Sequence, residues 1–156
     1  YKIFGDGETR QQIVKAVGDS KKVELCGLVP RQNIIEEITN CDIVVMPSLW
    51  EGLSIFMLEA MALGRPMMIS NVPSLRDVFS EKPLKTGENW RLCSWGYLVE
   101  TSNVNAYNEA MNHFLRHQNL SAKMQMEMEK YSTLYSIEET AKSYMKVYMR
   151  CLQQEN

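Results

Sequence analysis

The sequence lacks the signals of membrane-spanning, secreted and nucleic-acid-binding proteins. No apolar run approaches the roughly 20 residues that a membrane-spanning helix needs, and no signal peptide stands at its start. The formal net charge of -2 offers no general attraction to a phosphate backbone. We therefore expect a cytoplasmic protein, free or at the cytosolic face of a membrane, that has no nucleic-acid partner.

Residues with the spacing of a metal site are also lacking. The four cysteines are scattered along the chain, at Cys26, Cys41, Cys93 and Cys151. None has another cysteine two residues away, so we expect reduced thiols and no zinc site. His113 and His117 are four residues apart on a predicted helix, but no adjacent glutamate completes a metalloprotease pattern. We expect neither a metal nor a cofactor.

What the sequence does contain is a repeated alternation of strand and helix, in a composition typical of globular proteins (45% apolar, 23% charged). The predicted strands cover residues 1–4, 22–26, 42–46, 67–70 and 96–99. The predicted helices cover residues 8–17, 31–39, a segment around Glu59, 74–79, and then about 104–117, 120–131 and 136–152. Ser136, with Glu139 three residues later, is expected to cap the last helix. Pro83, Gly87 and Asn89 favour a long loop over residues 80–95.

The connections between these strands are too long for hairpins, which favours a parallel sheet. We predict an α/β fold, with a Rossmann-like parallel sheet of about five strands flanked by helices and a helical C-terminal tail. The prediction is one domain over residues 1–156. Ligands of such sheets bind beyond the carboxyl ends of the strands. That rule selects four segments as one rim: Gly5–Gly7, Gly27–Arg31, Pro47–Ser54 and Ser70–Pro73.

Two glutamates stand out beside the third strand. Glu51 lies in the loop after it, where it could meet a hydroxylated ligand or act in acid–base chemistry. Glu59 lies in a helix that is otherwise apolar, where a carboxylate is costly to bury without partners. Binding a vicinal diol such as a ribose would suit Glu59. The alternatives are a solvated loop charge for Glu51 and an ion pair with Arg65 or Arg76 for Glu59.

The segment Gly52-Leu53-Ser54 leads into the helix that carries Glu59. Free N–H groups and the helix dipole make such a helix end an anion site, suited to phosphate. Equally, Gly52 could serve a tight turn and Ser54 could cap the helix. The Gly5-Asp6-Gly7 loop lacks the full glycine pattern of a dinucleotide-binding site and the lysine of a P-loop. Arg31 and Arg65 are the basic residues expected nearest to the rim.

Several stretches in combination resemble the family-4 retaining glycosyltransferases. They are residues 5–7, 23–29, 41–48, 50–60, 62–66 and 70–71, and Tyr135–Glu139 with Tyr144 and Tyr148 near the end. The most specific mark is the pair Glu51 and Glu59, with seven intervening residues. Ser54 departs from the pattern, because the family often has glycine there.

The resemblance implies the GT-B architecture, in which two Rossmann-like domains face a cleft and the C-terminal one binds a nucleotide-sugar donor. It makes Glu51 the catalytic candidate, near the sugar hydroxyls, and assigns Glu59 to the ribose. The backbone of Gly52, Leu53 and Ser54 would approach the diphosphate or sugar. Residues Gly27, Leu28 and Val29 would border the base, and Gly5 and Gly7 would line the donor site. The donor would be a UDP- or GDP-sugar, and no metal is implied.

The implied activity is transfer of a hexose, with retention, to a glycan, lipid or other acceptor in polysaccharide or glycoconjugate biosynthesis. The chain begins at Tyr1 inside a predicted strand. We therefore expect a fragment that lacks the domain's first strand and the acceptor-binding N-terminal domain, and that is inactive alone. An apolar stripe on the last helix predicts weak self-association. The alternatives are a non-catalytic nucleotide-binding or scaffold module of this fold, a receiver-like module and a glycan phosphorylase.

Overall fold

The computed structural model describes residues 1–78 and 82–154, the last without its side chain. The strands are β1 Lys2–Phe4, β2 Glu24–Gly27, β3 Val44–Met46, β4 Met67–Ser70, β5 Lys85–Thr86, β6 Trp90–Leu92 and β7 Gly96–Val99. The α-helices are α1 Arg10–Val17, α2 Arg31–Asn40, α3 Ile55–Ala62, α4 Pro73–Val78, α5 Val104–Arg116, α6 Ser121–Leu134 and α7 Ile137–Gln154. A 3-10 helix at Gln118–Leu120 joins α5 to α6. The chain divides into two compact units, one ending at Glu37 and one beginning at Ile38.

The smaller unit is built on one pair of parallel strands. β1 pairs with β2, so that Lys2 lies opposite Glu24 and Ile3 opposite Leu25. Helix α1 connects the two strands and ends at Gly18, as its sequence predicts. The Nζ of Lys2 lies 2.6 Å from Oε1 of Glu37, an exposed ion pair that contributes little to stability.

The larger unit is built on a five-stranded sheet in the order β3-β4-β7-β6-β5. β3, β4 and β7 are parallel, as predicted, and the remaining two strands are antiparallel. The α/β fold class, with its helices and helical tail, is therefore confirmed. The uninterrupted apolar run at residues 43–46 predicts a central, buried strand. Val44 and Met46 are buried, but β3 is the first strand of this sheet and Val45 is 39% exposed.

The prediction of a loop over residues 80–95 is wrong for part of that segment. β5 and β6 form a hairpin there, closed by a hydrogen bond from the Gly87 N–H to the Trp90 carbonyl. Trp90 and Leu92 are buried and Arg91 between them is exposed, which is the period-two pattern of a strand. The glycine that argued for a loop lies in the hairpin turn. Residues 80 and 81, and residue 79 of the helix predicted over 74–79, lie outside the described residues.

The core of the larger unit lies on β4 and β7, whose residues are all buried. Met68 and Tyr97 pack with Ala110 and Phe114 of α5. Helix α3 turns Met57, Ala60 and Met61 inward. It is followed by Gly64, whose φ is 64° and whose Cβ, if present, would lie 2.9 Å from Cγ of Gln125 in α6. The left-handed φ and the close approach of Gln125 therefore favour glycine at this position.

The tail helix α7 begins as its sequence predicts. The Ser136 Oγ accepts a hydrogen bond from the Glu139 N–H over 3.2 Å, which caps the helix. Along α7 several large apolar side chains remain exposed, among them Tyr144, Met145 and Tyr148. No helix in the described part of the chain has the length and apolar character needed to cross a membrane.

A cluster of aromatic and histidine side chains packs between α5 and the sheet. The Tyr97 hydroxyl lies 2.8 Å from Nδ1 of His113. The His113 ring stacks on that of His117, with centroids 4.1 Å apart, and its centroid lies 5.0 Å from that of Trp90. Burial lowers the pKa of His113, and His117 and Lys85 lower it further. Protonation of His113 therefore opposes folding.

This arrangement predicts that stability falls in mild acid. A histidine whose pKa is lowered by folding gives its full contribution above about pH 6.5, the unfolded value, and loses it as the pH falls through the folded-state pKa. We expect a lower Tm at pH 5 than at pH 7.5, and a smaller decrease for His113→Gln. Circular dichroism melts at both pH values measure this, and an equal decrease in the variant would refute the assignment to His113.

Candidate functional site

The candidate site of the larger unit lies at one edge of its sheet. Because β3, β4 and β7 are parallel neighbours, their carboxyl ends meet at the same edge. Two of the predicted rim segments, Pro47–Ser54 and Ser70–Pro73, therefore lie at that edge together. The other two, Gly5–Gly7 and Gly27–Arg31, follow β1 and β2 of the smaller unit. Joining all four segments into one rim stays a prediction.

Glu51 is half-buried and held from two sides. The Ser48 Oγ donates a hydrogen bond to Oε1 of Glu51 over 2.9 Å. The Ser74 Oγ in α4 donates to the Glu51 backbone carbonyl over 2.5 Å. Oε2 has no hydrogen-bond partner within residues 1–78 and 82–154. The carboxylate is thus oriented, and one oxygen remains available to accept a hydrogen bond from a ligand hydroxyl.

The residues around Glu51 face solvent. Trp50 is 83% exposed and Leu53 is 57% exposed, and Gly52 is also exposed. Ser54 is the N-cap of α3, and its Oγ accepts a hydrogen bond from the Met57 N–H over 3.3 Å. The capping role considered for Ser54 is therefore real. It leaves the N–H groups at the first positions of α3 directed out of the helix, where they and the dipole favour an anion.

Glu59 lies one turn further along α3, on a half-buried position between the buried residues Met57, Ala60 and Met61. Both arginines considered as its ion-pair partners have other contacts. Nη1 of Arg65 donates to the Cys41 carbonyl over 3.3 Å. Nε of Arg76 lies 3.7 Å from Oδ1 of Asp77. Ribose binding by Glu59 stays a prediction.

The glycine loop of the smaller unit borders an open pocket of about 170 Å³. Gly5, Gly7 and Gly27, all predicted site residues, line it together with Thr9 and Arg10. The Gly5 N–H donates to the Gly27 carbonyl over 2.8 Å, and a Cβ added at either glycine would meet nothing within 4 Å. The backbone is therefore accessible to a ligand there.

Two other predicted residues differ from these glycines. Leu28 is 78% exposed and Val29 is half-buried, and neither lines the pocket. Sequence reasoning named Arg31 and Arg65 as the nearest basic residues and missed Arg10, whose Nε lies 3.2 Å from Oδ1 of Asp6. The four-residue spacing between Asp6 and Arg10 was the sequence feature that could have indicated this ion pair.

The two histidines have a packing role in this structure. Nδ1 of His113 contacts the Tyr97 hydroxyl, and Nδ1 of His117 lies 2.8 Å from the His113 carbonyl oxygen. Across the described ranges, 1–78 and 82–154, no three His, Cys, Asp or Glu side chains come together in a way that could hold a metal ion.

Comparison with known proteins gives a family match and several structural neighbours. The family model described as glycosyl transferases group 1 matches residues 1–133. An uncharacterized glycosyltransferase of Methanocaldococcus jannaschii is 24% identical over 150 residues, which is 95% of this chain and 40% of that protein. The chain thus spans less than half the length of this relative.

Solved structures share the fold. Sucrose-phosphate synthase from Thermosynechococcus elongatus superposes with a TM-score of 0.76 at 17% identity, over 98% of this chain and 38% of that one. TarM of S. aureus, in a complex that includes UDP, superposes with a TM-score of 0.76 at 22% identity, over 94% of this chain and 28% of that one.

The capping bond of Ser54 predicts a stability effect that is separable from ligand binding. Ser54→Ala removes the acceptor of the Met57 N–H, so we expect a loss of about 1 kcal/mol in the free energy of unfolding. Ser54→Asp keeps an acceptor and should unfold close to wild type. Urea denaturation measures the free energy of unfolding of both variants. An unchanged free energy of unfolding for Ser54→Ala would show that the cap contributes nothing to stability.

Proposed function

Because the chain belongs to the group 1 glycosyl transferases, we propose that it is the donor-binding, C-terminal half of a family-4 retaining enzyme with two GT-B domains. The enzyme moves a hexose from a nucleotide-sugar, such as a UDP- or GDP-sugar, to a glycan, lipid or other acceptor. It acts in polysaccharide or glycoconjugate biosynthesis, in the cytoplasm or at the cytosolic face of a membrane. The acceptor binds through the other domain, and these 156 residues alone transfer no sugar.

The observation that carries the proposal is the position of Glu51. Its carboxylate is oriented by Ser48, keeps Oε2 available and lies at the edge of the sheet where α/β proteins bind ligands. The N-terminus of α3 begins only four residues later, at Ile55. A hydrogen-bond acceptor beside a helix N-terminus suits a ligand that combines hydroxyl groups with phosphate.

Within the larger unit, each predicted residue then takes a role along one donor. Glu51 accepts hydrogen bonds from sugar hydroxyls, and Glu59 accepts them from the ribose. The backbone of Gly52, Leu53 and Ser54 approaches the diphosphate or the sugar.

The chemical demand on the protein is charge stabilisation. When the bond from the anomeric carbon to the diphosphate oxygen breaks, negative charge develops on the leaving group. The acceptor oxygen bonds to the same face of that carbon, and the proton of the acceptor hydroxyl passes to the departing diphosphate. Oriented N–H groups and the positive end of a helix dipole stabilise this charge because they need no reorganisation. We propose that they do so here without a metal or other cofactor.

The proposal predicts that the chain binds a nucleotide-sugar and that Glu59 contributes to the affinity. Glu59→Ala removes a charged acceptor of the ribose hydroxyls, a loss of about 10-fold or more in affinity. Titration with UDP- and GDP-sugars, followed by ligand-observed NMR, measures this. The matched control is Glu138→Ala, which removes an exposed carboxylate from the first turn of α7.

The possible results of this titration lead to different conclusions about Glu59 and about the donor site. Binding that is weakened by Glu59→Ala and unaffected by Glu138→Ala supports the donor site. Equal affinity in all three proteins would remove Glu59 from the site. No binding of any nucleotide-sugar by the wild-type chain would favour a scaffold module of the same fold.

We also propose weak self-association through the exposed face of α7. Tyr148 is 58% exposed and Met145 is 57% exposed on this helix, and such apolar surface is costly in water. Sedimentation velocity should show an average mass that rises with concentration, less so for Tyr148→Ser. The control Val104→Ser changes an exposed residue of α5. Strictly monomeric behaviour at high concentration would contradict the proposal.

A further inference from the structure

The loop that carries Glu51 is held by side chains rather than by its own backbone. No backbone-to-backbone hydrogen bond involves residues 47–53 within the described part of the chain. The first backbone bond after the loop's start is that from the Leu58 N–H to the Ser54 carbonyl, which belongs to the beginning of α3. The conformation of the loop therefore depends on the few polar contacts that reach it.

Two of these contacts come from one neighbouring stretch, residues 70–74, which leads from β4 into α4. At the root of the loop, the Ser70 Oγ lies 3.4 Å from the Met46 carbonyl oxygen and 2.8 Å from the Tyr107 hydroxyl. At its tip, the Ser74 Oγ donates to the Glu51 carbonyl over 2.5 Å. Ser48, the third contact, belongs to the loop itself.

The stretch 70–74 is itself held to the sheet and the core of the larger unit. The Asn71 N–H donates to the Val99 carbonyl over 2.7 Å, which ties it to β7. Val72 and Leu75 on either side of Ser74 are buried, at 6% and 0% exposure, so the start of α4 is anchored in the core. The loop is the part that Ser74 restrains, since Trp50 beside Glu51 is almost wholly exposed.

The hydrogen bond from Ser74 to the Glu51 carbonyl orients more than one group. The peptide between Glu51 and Gly52 is planar and trans, so its C=O and N–H point in opposite directions. When the Glu51 carbonyl accepts from Ser74, the Gly52 N–H is directed away from α4. The same bond limits where the Cα of Glu51 can lie, and with it the carboxylate that Ser48 orients.

We propose that Ser74 is a positioning residue for donor binding, through its hydrogen bond to the Glu51 carbonyl. This inference rests on the proposed function, in which the Glu51 carboxylate contacts the sugar of the donor. Ser74 touches no donor atom itself. It reduces the freedom that the loop must lose when the donor binds, which is how preorganisation raises affinity.

The expected signature is a selective loss of affinity for the sugar part of the donor. Ser74→Ala should weaken binding of UDP-glucose, or of whichever nucleotide-sugar binds best, by about 3- to 10-fold. Binding of the corresponding nucleoside diphosphate should change by less than about 2-fold, because it lacks the sugar that Glu51 contacts and because Glu59 is untouched. Ser74→Thr keeps the hydroxyl and should restore most of the affinity.

A second readout needs no ligand. In the free chain, ¹⁵N relaxation should show lower heteronuclear NOE values at residues 50–53 in Ser74→Ala, and the Glu51 carbonyl ¹³C resonance should shift. Ser132→Ala is the matched control, because it removes a serine hydroxyl that donates to the Glu129 carbonyl within α6 over 2.7 Å and leaves the contacts of the loop intact. Its loop dynamics should stay near those of wild type.

These measurements distinguish failure of this inference from failure of the proposed function. If the wild-type chain binds no nucleotide-sugar, the donor-site proposal fails, and the positioning claim for a donor falls with it even if the relaxation data show the restraint. If the wild type binds and Ser74→Ala weakens diphosphate and nucleotide-sugar alike, or neither, the selective role of Ser74 is overturned. Unchanged relaxation in Ser74→Ala would overturn the restraint itself.

Discussion

Pairing of β4 with β7 is the constraint on which the larger unit depends. Gly96 of β7 pairs with Met67 of β4 at a φ of 154°, and a Cβ added there would lie 2.0 Å from the Met67 carbonyl oxygen. Both strands are buried on both faces, so every polar backbone group there must be paired within the sheet. With β3 on one side and β6 on the other, this pairing fixes where each following loop begins. The Glu51 loop and the stretch 70–74 meet at one edge for this reason.

The Glu51 loop is exposed, although the sheet edge on which it lies is buried. The loop exposes Trp50 and Gly52 and has little backbone bonding of its own, which suits it to approach a ligand closely. Its one central carboxylate is nevertheless oriented, through Ser48 and Ser74. The arrangement combines access with orientation, and both are needed where a polar ligand is recognised by a few hydrogen bonds.

Local patterns in the sequence were sufficient for most of the elements. Residues 67–70 and 96–99 were predicted as strands with the bounds that the structure has, because short apolar runs between turn residues have few other interpretations. Residues 80–95 were misjudged, because Gly87 and Asn89 mark a hairpin turn as readily as a loop. Arg10, Ser48 and Ser74 were missed as neighbours of predicted site residues. The contact from Ser74 spans 23 positions of sequence, and no local pattern reports such a contact.

The central claim is that one nucleotide-sugar lies with its sugar at Glu51 and its ribose at Glu59. A crystal structure of the protein with its best nucleotide-sugar bound tests this most directly. The account predicts sugar hydroxyls within about 3 Å of the Glu51 carboxylate, ribose hydroxyls equally near Glu59, and the diphosphate at the N–H groups that precede α3. A donor bound elsewhere, with both carboxylates free of contact to it, would contradict the account.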